Sequence, residues 1–191
     1  MDDLLHQVWT LFGNIPEAAP FLAHWPDATL RREIPAKSLP VMAQLQTLKA
    51  PPLTRPVLDA LCRAAPGLAW RQTYGAADFG ADFLQGYGWS EFIGLRGAVP
   101  SQVLACGVLL LGPGVDYPLH MHEAEELYLP IAGQALWKRG EGPYQAIPAG
   151  QPIVHPSWTP HATRCEGDGV AALYLWMGGD LAAKSVILPR V

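Results

Sequence analysis

Residues 114–133 of this 191-residue chain read GVDYPLHMHEAEELYLPIAG, and the spacing within this stretch indicates the fold. His120 and His122 are two positions apart, so on a strand both imidazoles leave the same face. The acidic segment that follows can turn the chain, after which Glu126 is expected to re-enter on the neighbouring strand, across from the histidines. Gly133 is expected to end that strand, where a tight turn needs a permissive backbone. Two imidazoles and a carboxylate suit zinc, iron, manganese or nickel.

A second stretch with regular spacing lies downstream. Residues 150–165 read GQPIVHPSWTPHATRC. His161 is expected to begin a new strand after the rigid turn between Pro156 and Pro160. It can then supply a further imidazole to the same metal.

The composition is that of a globular protein and excludes several functional classes. Half of the residues are apolar, 16% are charged and the formal net charge is −4. Because Lys and Arg are scattered, no basic stripe is available for phosphates, and nucleic acid is not an expected partner. The apolar run VLACGVLLLG is too short to cross a bilayer, so no membrane partner is expected either.

The cysteines and the N-terminus bear on the cellular compartment. Cys62, Cys106 and Cys165 match no zinc knuckle and no disulfide framework, and their odd number favours a reducing compartment. The N-terminus begins acidic and its apolar stretch is short, which is not typical of a secretory signal. A soluble cytoplasmic protein is therefore expected.

Two parts of the chain differ in periodicity. Residues 1–66 are predicted to form a helical extension that packs on a barrel, and residues 67–191 to form that barrel. Helices are predicted at the N-terminus, where Leu4, Leu5, Val8, Trp9 and Phe12 recur at helical spacing, after Pro40, and from Thr54 to Pro66. From residue 68 onward, short β-rich runs alternate with Gly and Pro, which predicts eight to ten mainly antiparallel strands.

The two spaced stretches together resemble the two motifs of the cupin superfamily. The first matches at every spaced position, whereas Trp158 stands for the usual Gly of the second motif and Cys165 for the usual Asn. The resemblance implies a mainly β fold, the double-stranded β-helix (jelly-roll) barrel, with the metal inside near one mouth. Its register favours His161 over His155 as the last ligand, so His155 is interpreted as lining the barrel or orienting a ligand.

The ligand set is then His120, His122, Glu126 and His161, around one divalent transition metal. Zinc or iron is expected first, and manganese or nickel also suits these ligands. Glu123 and Glu125 are the alternatives to Glu126 and are interpreted as an exposed turn.

Aromatic residues near the predicted metal indicate a reaction. Tyr128 lies two residues after Glu126 and should face the barrel interior, where a nearby cation would favour the phenolate, a general base. Tyr117 is a second phenol near the same mouth. Candidates for aromatic walls are Trp137, Trp158, Tyr174 and Trp176. Tyr174 and Trp176 are expected to alternate faces, so that at most one points inward. The aromatic, Gly-rich stretch 75–97 has no predicted element and is suited to cover the mouth.

A narrower resemblance joins these features. The segment DYPLHMHEAEELYLPIAGQALWKRG, with PIVHPSWTPHA downstream, is similar to the cupin-type dimethylsulfoniopropionate lyases, most of all their DddQ-like branch, which also has an N-terminal helical extension. The resemblance implies β-elimination of a zwitterionic sulfonium substrate to dimethyl sulfide and acrylate. It also implies that the four ligands form the metal site, that Tyr128 is the catalytic base and that Tyr117 lines the substrate pocket. Trp176 is expected to be a second substrate-binding residue, because an aromatic face can hold a sulfonium cation.

Other functions stay open at this stage. A cupin dioxygenase would share the ligands but needs ferrous iron and oxygen, and a small-acid isomerase needs a more polar pocket. A non-catalytic, ligand-binding cupin is the alternative outside enzymes. Because cupins often pair, a homodimer is a further expectation.

Overall fold

The computed structural model describes residues 1–189 and contains two β-sheets preceded by helices. The last two positions of the predicted barrel range, residues 190 and 191, lie outside the described part. The α-helices are α1 (Asp2–Phe12), α2 (Ala19–Leu22), α3 (Arg55–Ala64) and α4 (Ala76–Gln85). The strands are β1 (Tyr87–Gly94), β2 (Val99–Pro100), β3 (Leu104–Leu111), β4 (Asp116–Met121), β5 (Glu125–Gly133), β6 (Leu136–Arg139), β7 (Gln145–Ala146), β8 (Ile153–His155), β9 (His161–Arg164), β10 (Val170–Met177) and β11 (Val186–Ile187).

The strands form the two layers of a cupin barrel, so the predicted fold class is confirmed. One sheet has six strands in the order β2-β1-β3-β10-β5-β8, and the other has five in the order β11-β4-β9-β6-β7. Every pairing between these strands is antiparallel except that of β1 with β2. The structure thus has slightly more strands than the eight to ten predicted, because short edge strands escape a pattern search.

The six-stranded sheet is buried on both faces, which explains its almost continuous apolar strands. On β3, every residue from Leu104 to Leu111 is buried. Alternate residues such as Cys106 and Val108 pack with the helices, whereas Leu109 and Leu111 belong to the cluster inside the barrel. The helices therefore cover the outer face of this sheet, and its inner face is left for the cavity.

The helical predictions are confirmed at the N-terminus and need correction further on. Helix α1 buries the face that carries Leu4 and Val8. The segment after Pro40 is a 3-10 helix, Pro40–Gln46, not an α-helix. Thr54 precedes α3 without capping it, because its hydroxyl donates instead to the Ile131 carbonyl on β5 at 2.6 Å. The division of the chain at residue 66 stays a proposal.

Two further predictions change. The stretch 75–97, for which no element was predicted, contains α4, which is interrupted at Gly80 (φ +84°), and β1. Glu126 does not lie on a strand next to the histidine strand, because β4 and β5 belong to different sheets. The carboxylate approaches the histidines from across the barrel, since the turn after His122 carries the chain from one sheet to the other.

Candidate metal centre and cavity

Three buried imidazoles meet on or next to two strands of the five-stranded sheet. His120 on β4 and His161 at the start of β9 are paired in register, and His122 follows β4 directly. All three side chains are buried, and their nearest ring nitrogens lie within 4.8 Å of one another. The structure therefore brings together the three histidines that the spacing selected.

Each of these imidazoles is oriented by its own stretch of backbone. Nδ1 lies 2.7 Å from the Pro118 carbonyl in His120, 2.9 Å from the Ala124 carbonyl in His122 and 2.8 Å from the Thr159 carbonyl in His161. A carbonyl only accepts hydrogen bonds, so the proton resides on Nδ1 and the lone pair on Nε2. This arrangement is the one that metal-binding histidines adopt.

Glu126 completes the cluster from the opposite sheet. Its Oε2 lies 3.3 Å from Nε2 of His122 and 3.1 Å from Nε2 of His161, and its Oε1 accepts a hydrogen bond of 2.5 Å from the Trp176 indole. Lone pairs that face a carboxylate oxygen are satisfied by a positive charge between them, either a proton or a metal ion. The donor set thus fits a divalent metal, and the same atoms suit zinc, iron, manganese or nickel.

The pKa values of the cluster reflect its burial and its single negative charge. Burial and the neighbouring His161 hold the pKa of His120 well below its usual range. Burial also opposes charge on His122 and on Glu126, but their mutual attraction prevails, so the pKa of His122 is raised and that of Glu126 is lowered. The carboxylate is therefore ionised at neutral pH.

His155 joins the site from β8, directly across from Glu126 in the strand register. Its ring stacks on His161, with centroids 4.1 Å apart and planes at 14°. The ligand atoms of Glu126, His155 and His161 are close enough for one ion. Nearly parallel rings, however, cannot both direct in-plane lone pairs at the same ion. We therefore interpret His155 as lying beside the ligands. Burial lowers its pKa to about 3, so the ring is neutral. Neither ring nitrogen has a partner among residues 1–189.

Tyr128 and the aromatic residues of β10 line the same cavity. Tyr128 is paired with Tyr174 in register, and Trp176 is paired with Glu126. The prediction that Tyr174 and Trp176 alternate faces is wrong: residues two apart on a strand share a face, and both line the cavity. Burial and the Glu126 carboxylate raise the pKa of the Tyr128 phenol well above its ordinary value.

The remaining tryptophan candidates differ in position. Trp137 is buried and packs on Tyr128 with ring centroids 5.1 Å apart. Trp158 is 50% exposed and forms no wall of the cavity. Its backbone is left-handed (φ +59°), a conformation that glycine adopts without steric cost.

Tyr117 lies in an aromatic group that sequence reasoning only partly foresaw. Its ring packs on His120 at 4.5 Å and on Tyr87 at 5.3 Å between centroids. Phe83 from α4 and Tyr74 lie slightly farther away, at 6.2 and 6.1 Å. The available signal was the aromatic density of residues 75–97, but no periodicity linked it to Tyr117.

These residues surround one cavity of about 370 Å³. The part of the wall nearest the imidazoles is formed by Glu126, Tyr117 and Trp176. Other parts of its wall are charged and include Arg71 and Glu91, which no sequence pattern had singled out.

Comparisons with known proteins agree with this architecture. A family model described as dimethylsulfoniopropionate lyase matches residues 21–171. The dimethylsulfoniopropionate lyase DddQ of Ruegeria pomeroyi is 33% identical over 189 residues, which cover 97% of this chain and 92% of that protein. A putative dimethylsulfoniopropionate lyase DddL of Cereibacter sphaeroides is 28% identical over 63% of this chain and 50% of its own length.

Solved structures extend the comparison to three dimensions. A chain from the crystal structures of the lyases RdDddP and RnDddQII has a TM-score of 0.90 and 36% identity, with 98% of this chain and 97% of that chain covered. The crystal structure of DddQ from Ruegeria pomeroyi has a TM-score of 0.84 and 30% identity, with 97% and 94% covered. No helix among residues 1–189 has both the length and the apolarity needed to cross a membrane.

Proposed function

This chain belongs to the dimethylsulfoniopropionate lyase family and is a carbon–sulfur lyase, and from that premise we propose that it cleaves dimethylsulfoniopropionate to dimethyl sulfide and acrylate by metal-dependent β-elimination. The observation that carries the proposal is the position of Tyr128. It lies on β5, two residues from Glu126, and lines the cavity together with this carboxylate, which in turn contacts the imidazoles of His122 and His161. The candidate base therefore borders the candidate cation site through Glu126.

The metal would be held by His120, His122, Glu126 and His161, with zinc or iron expected first. When bound, it supplies a Lewis acid for the substrate carboxylate, where negative charge develops as the neighbouring carbon loses its proton. The Trp176 indole keeps one carboxylate oxygen of Glu126 turned away from the imidazoles. The other oxygen is thereby kept pointing toward them.

Tyr128 would act as the general base. Burial and the Glu126 carboxylate hold the proton on its phenol when no positive charge is nearby. As phenolate, it removes the proton from the carbon next to the carboxylate. The electron pair of that C–H bond forms the double bond of acrylate, and the bond to sulfur breaks with its electrons on sulfur. Because dimethyl sulfide leaves as a neutral thioether, the reaction needs no general acid.

The aromatic faces would hold the sulfonium end of the substrate. Tyr117, Tyr174 and Trp176 all line the cavity. A cation over such a face gains about 0.5–2 kcal/mol, the larger value in a desolvated site. Aromatic walls also exclude water from the substrate. We assign Tyr117 and Trp176 to this role.

The direct test is Tyr128→Phe. We expect headspace dimethyl sulfide from purified protein to fall by roughly 10²–10⁴-fold, the usual contribution of a general base, while metal content stays unchanged. Tyr144→Phe is the matched control, because Tyr144 packs against Arg164 and does not line the cavity. Turnover near that of the wild type in Tyr128→Phe would remove Tyr128 as the base.

Family membership favours the lyase reaction over the dioxygenase, the isomerase and the non-catalytic cupin. The cytoplasmic location and the homodimer stay predictions. The location is supported by three free cysteines, of which Cys106 and Cys165 are buried.

A further inference from the structure

The cavity has a positively charged wall in an acidic protein. Four cationic side chains line it together with two carboxylates, whereas the whole chain has a formal net charge of −4. The cations are Lys37, Arg71, Arg96 and Lys184, and the carboxylates are Glu91 and Glu126. A pocket with an excess of one charge concentrates ligands of the opposite charge.

Arg96 already has its partners within the protein. Its guanidinium donates to the carbonyls of Leu181 at 3.2 Å and Ala182 at 3.1 Å. Its backbone N–H donates to the buried Glu91 carboxylate at 2.5 Å. Arg96 therefore holds the chain segment along one side of the cavity and is not available to a ligand.

The Arg71 guanidinium has no hydrogen-bonding partner of this kind among residues 1–189, although it interacts electrostatically with the Glu91 carboxylate. Its backbone is fixed, since its N–H donates to the Trp89 carbonyl at 2.7 Å and its carbonyl accepts from the Trp89 N–H at 2.9 Å. Its Nε is closed off from solvent and meets no acceptor among residues 1–189. Within that range its guanidinium makes no hydrogen bond and no salt bridge. The exposed Lys37 and Lys184, by contrast, are solvated.

An unpaired buried donor is costly, and the geometry of arginine indicates what would satisfy it. A buried N–H without an acceptor costs about 1–3 kcal/mol. The planar guanidinium offers two parallel N–H groups, which match the two oxygens of a carboxylate. The buried Nε is closed to a ligand as it is to water, but the terminal nitrogens of the guanidinium are not in this position and can bind a carboxylate in the cavity that Arg71 lines.

Arg71 and Glu126 stand at different walls. Arg71 is bridged to Trp89 on β1, and Glu126 lies on β5. Arg71 lies one strand spacing beyond β1, and β3 and β10 separate β1 from β5, so the path along the sheet is four strand spacings, about 19 Å. A carboxylate bound at Arg71 would thus occupy a position distinct from the metal ligands.

We propose that Arg71 forms a carboxylate subsite that receives the anionic end of the substrate as it enters the cavity, before the carboxylate reaches the metal centre. The ligand class is a small monocarboxylate, and the identity of the substrate rests on the proposed function. A contact that is made on entry and given up before the chemical step stabilises the entry complex but not the transition state. Its loss should therefore raise KM and kcat together and leave kcat/KM unchanged.

The test uses two halves of the substrate as probes. Propionate carries the carboxylate without the sulfonium, and trimethylsulfonium carries the cation without the carboxylate. In titration calorimetry with purified full-length protein, we expect Arg71→Met to bind propionate at least about fivefold more weakly, as for loss of one charge-assisted hydrogen bond, and trimethylsulfonium within about twofold of the wild type. Arg71→Gln keeps a hydrogen-bond donor, so its affinity for propionate should lie between those of the wild type and Arg71→Met. Arg63→Met, which removes an equal charge from an exposed surface pair with Asp3, is the control for long-range effects.

The kinetic arm follows the same variants. We expect KM and kcat for dimethylsulfoniopropionate to rise together in Arg71→Met, by up to about fivefold, with kcat/KM within about twofold of the wild type. Propionate binding that is undetectable in the wild type, or equal in the wild type and both Arg71 variants, would overturn the subsite. A wild-type protein that binds propionate through Arg71 but releases no dimethyl sulfide would refute the proposed function and leave the subsite established.

Discussion

The two sheets face one cavity but hold their functional side chains by different means. On the five-stranded side, His120, His122 and His161 each direct Nδ1 to a carbonyl two residues away in the chain. On the six-stranded side, Glu126 is held by Trp176, which is 50 positions later in the sequence. The imidazoles are thus oriented by local backbone, whereas the orientation of the carboxylate requires the assembled sheet.

The largest expected effect comes from removing the one charge that the six-stranded sheet contributes to the metal centre. Glu126→Gln keeps the size of the side chain but leaves the imidazoles without a carboxylate. We expect metal affinity to fall by roughly 100-fold or more, beyond the loss typical of supporting residues, and dimethyl sulfide release to stop. Metal analysis after dialysis measures how much metal each variant retains, with the exposed Glu125→Gln as control. Stoichiometric metal in Glu126→Gln would mean that the local histidines suffice.

A smaller loss of metal affinity is expected when only the hydrogen bond from Trp176 to Glu126 is removed. Trp176→Phe keeps an aromatic ring beside His122 but removes the N–H that orients Glu126. We expect metal affinity to fall about 10–100-fold. Trp137→Phe is the matched control, because the Trp137 indole is buried but has no hydrogen-bond partner among the described residues. Equal metal affinities in Trp176→Phe and Trp137→Phe would mean that the hydrogen bond from Trp176 does not orient Glu126 for metal binding.

His155 is the one imidazole of the site without a local carbonyl, and it should make the protein sensitive to acid. Its folded pKa of about 3 lies below the ordinary value of about 6.5, so folding favours the neutral ring. The resulting stability is complete above about pH 6.5 and is lost as the pH falls toward 3. Between pH 7 and 5 the loss is about 2 kcal/mol.

His155→Phe should therefore flatten the pH dependence by that amount, because its ring does not titrate. Urea unfolding of the wild type and the variant at both pH values measures the difference, with the exposed His24→Phe as control. Parallel pH profiles for the wild type and His155→Phe would show that His155 does not contribute to acid sensitivity.

The six-stranded sheet also depends on the N-terminal helices. The Thr54 hydroxyl is fully buried and donates to the Ile131 carbonyl on β5. Thr54→Val keeps the shape and removes this bond, so we expect the free energy of unfolding to fall by about 1–2 kcal/mol. In the control Thr47→Val, an exposed hydroxyl that bonds within its own turn is lost. If both variants are equally stable, the bond from Thr54 adds nothing to the sheet.

The smallest effect is expected at a local feature of the five-stranded side. Trp158 has a left-handed backbone, which costs a non-glycine residue about 1–2 kcal/mol, and the freedom of glycine in the unfolded chain offsets part of this. Trp158→Gly should therefore be more stable by about 0.5–1 kcal/mol. Trp158→Ala should gain nothing, because alanine has the same backbone preference. Equal thermal unfolding of the two variants would mean that this turn carries no strain.

The same contrast explains which features were predictable from the sequence. The His120–His122 pair, the strand that begins at His161 and the end of β5 at Gly133 depend on neighbours in the chain, and patterns of spacing report them. The placement of Glu126 on the opposite sheet and the stacking of His155 on His161 depend on how the sheets come together. Local spacing contains no information about that assembly.

Arg71 shows the limit most clearly. It belongs to no motif and lies before the first long strand, yet one backbone bridge to Trp89 brings it to the cavity wall. An isolated arginine in a sequence is normally a solvated surface residue. Only the closed cavity reveals that its Nε lacks both water and an acceptor.

The contact between Trp176 and the metal centre gives the protein an intrinsic optical reporter. The indole ring lies 4.2 Å from the His122 imidazole, and its N–H is bonded to Glu126. A paramagnetic ion at this centre should quench the fluorescence of that indole more than that of the other six tryptophans. Occupancy of the centre can then be followed in real time without a dye, with Trp176→Phe as the blank.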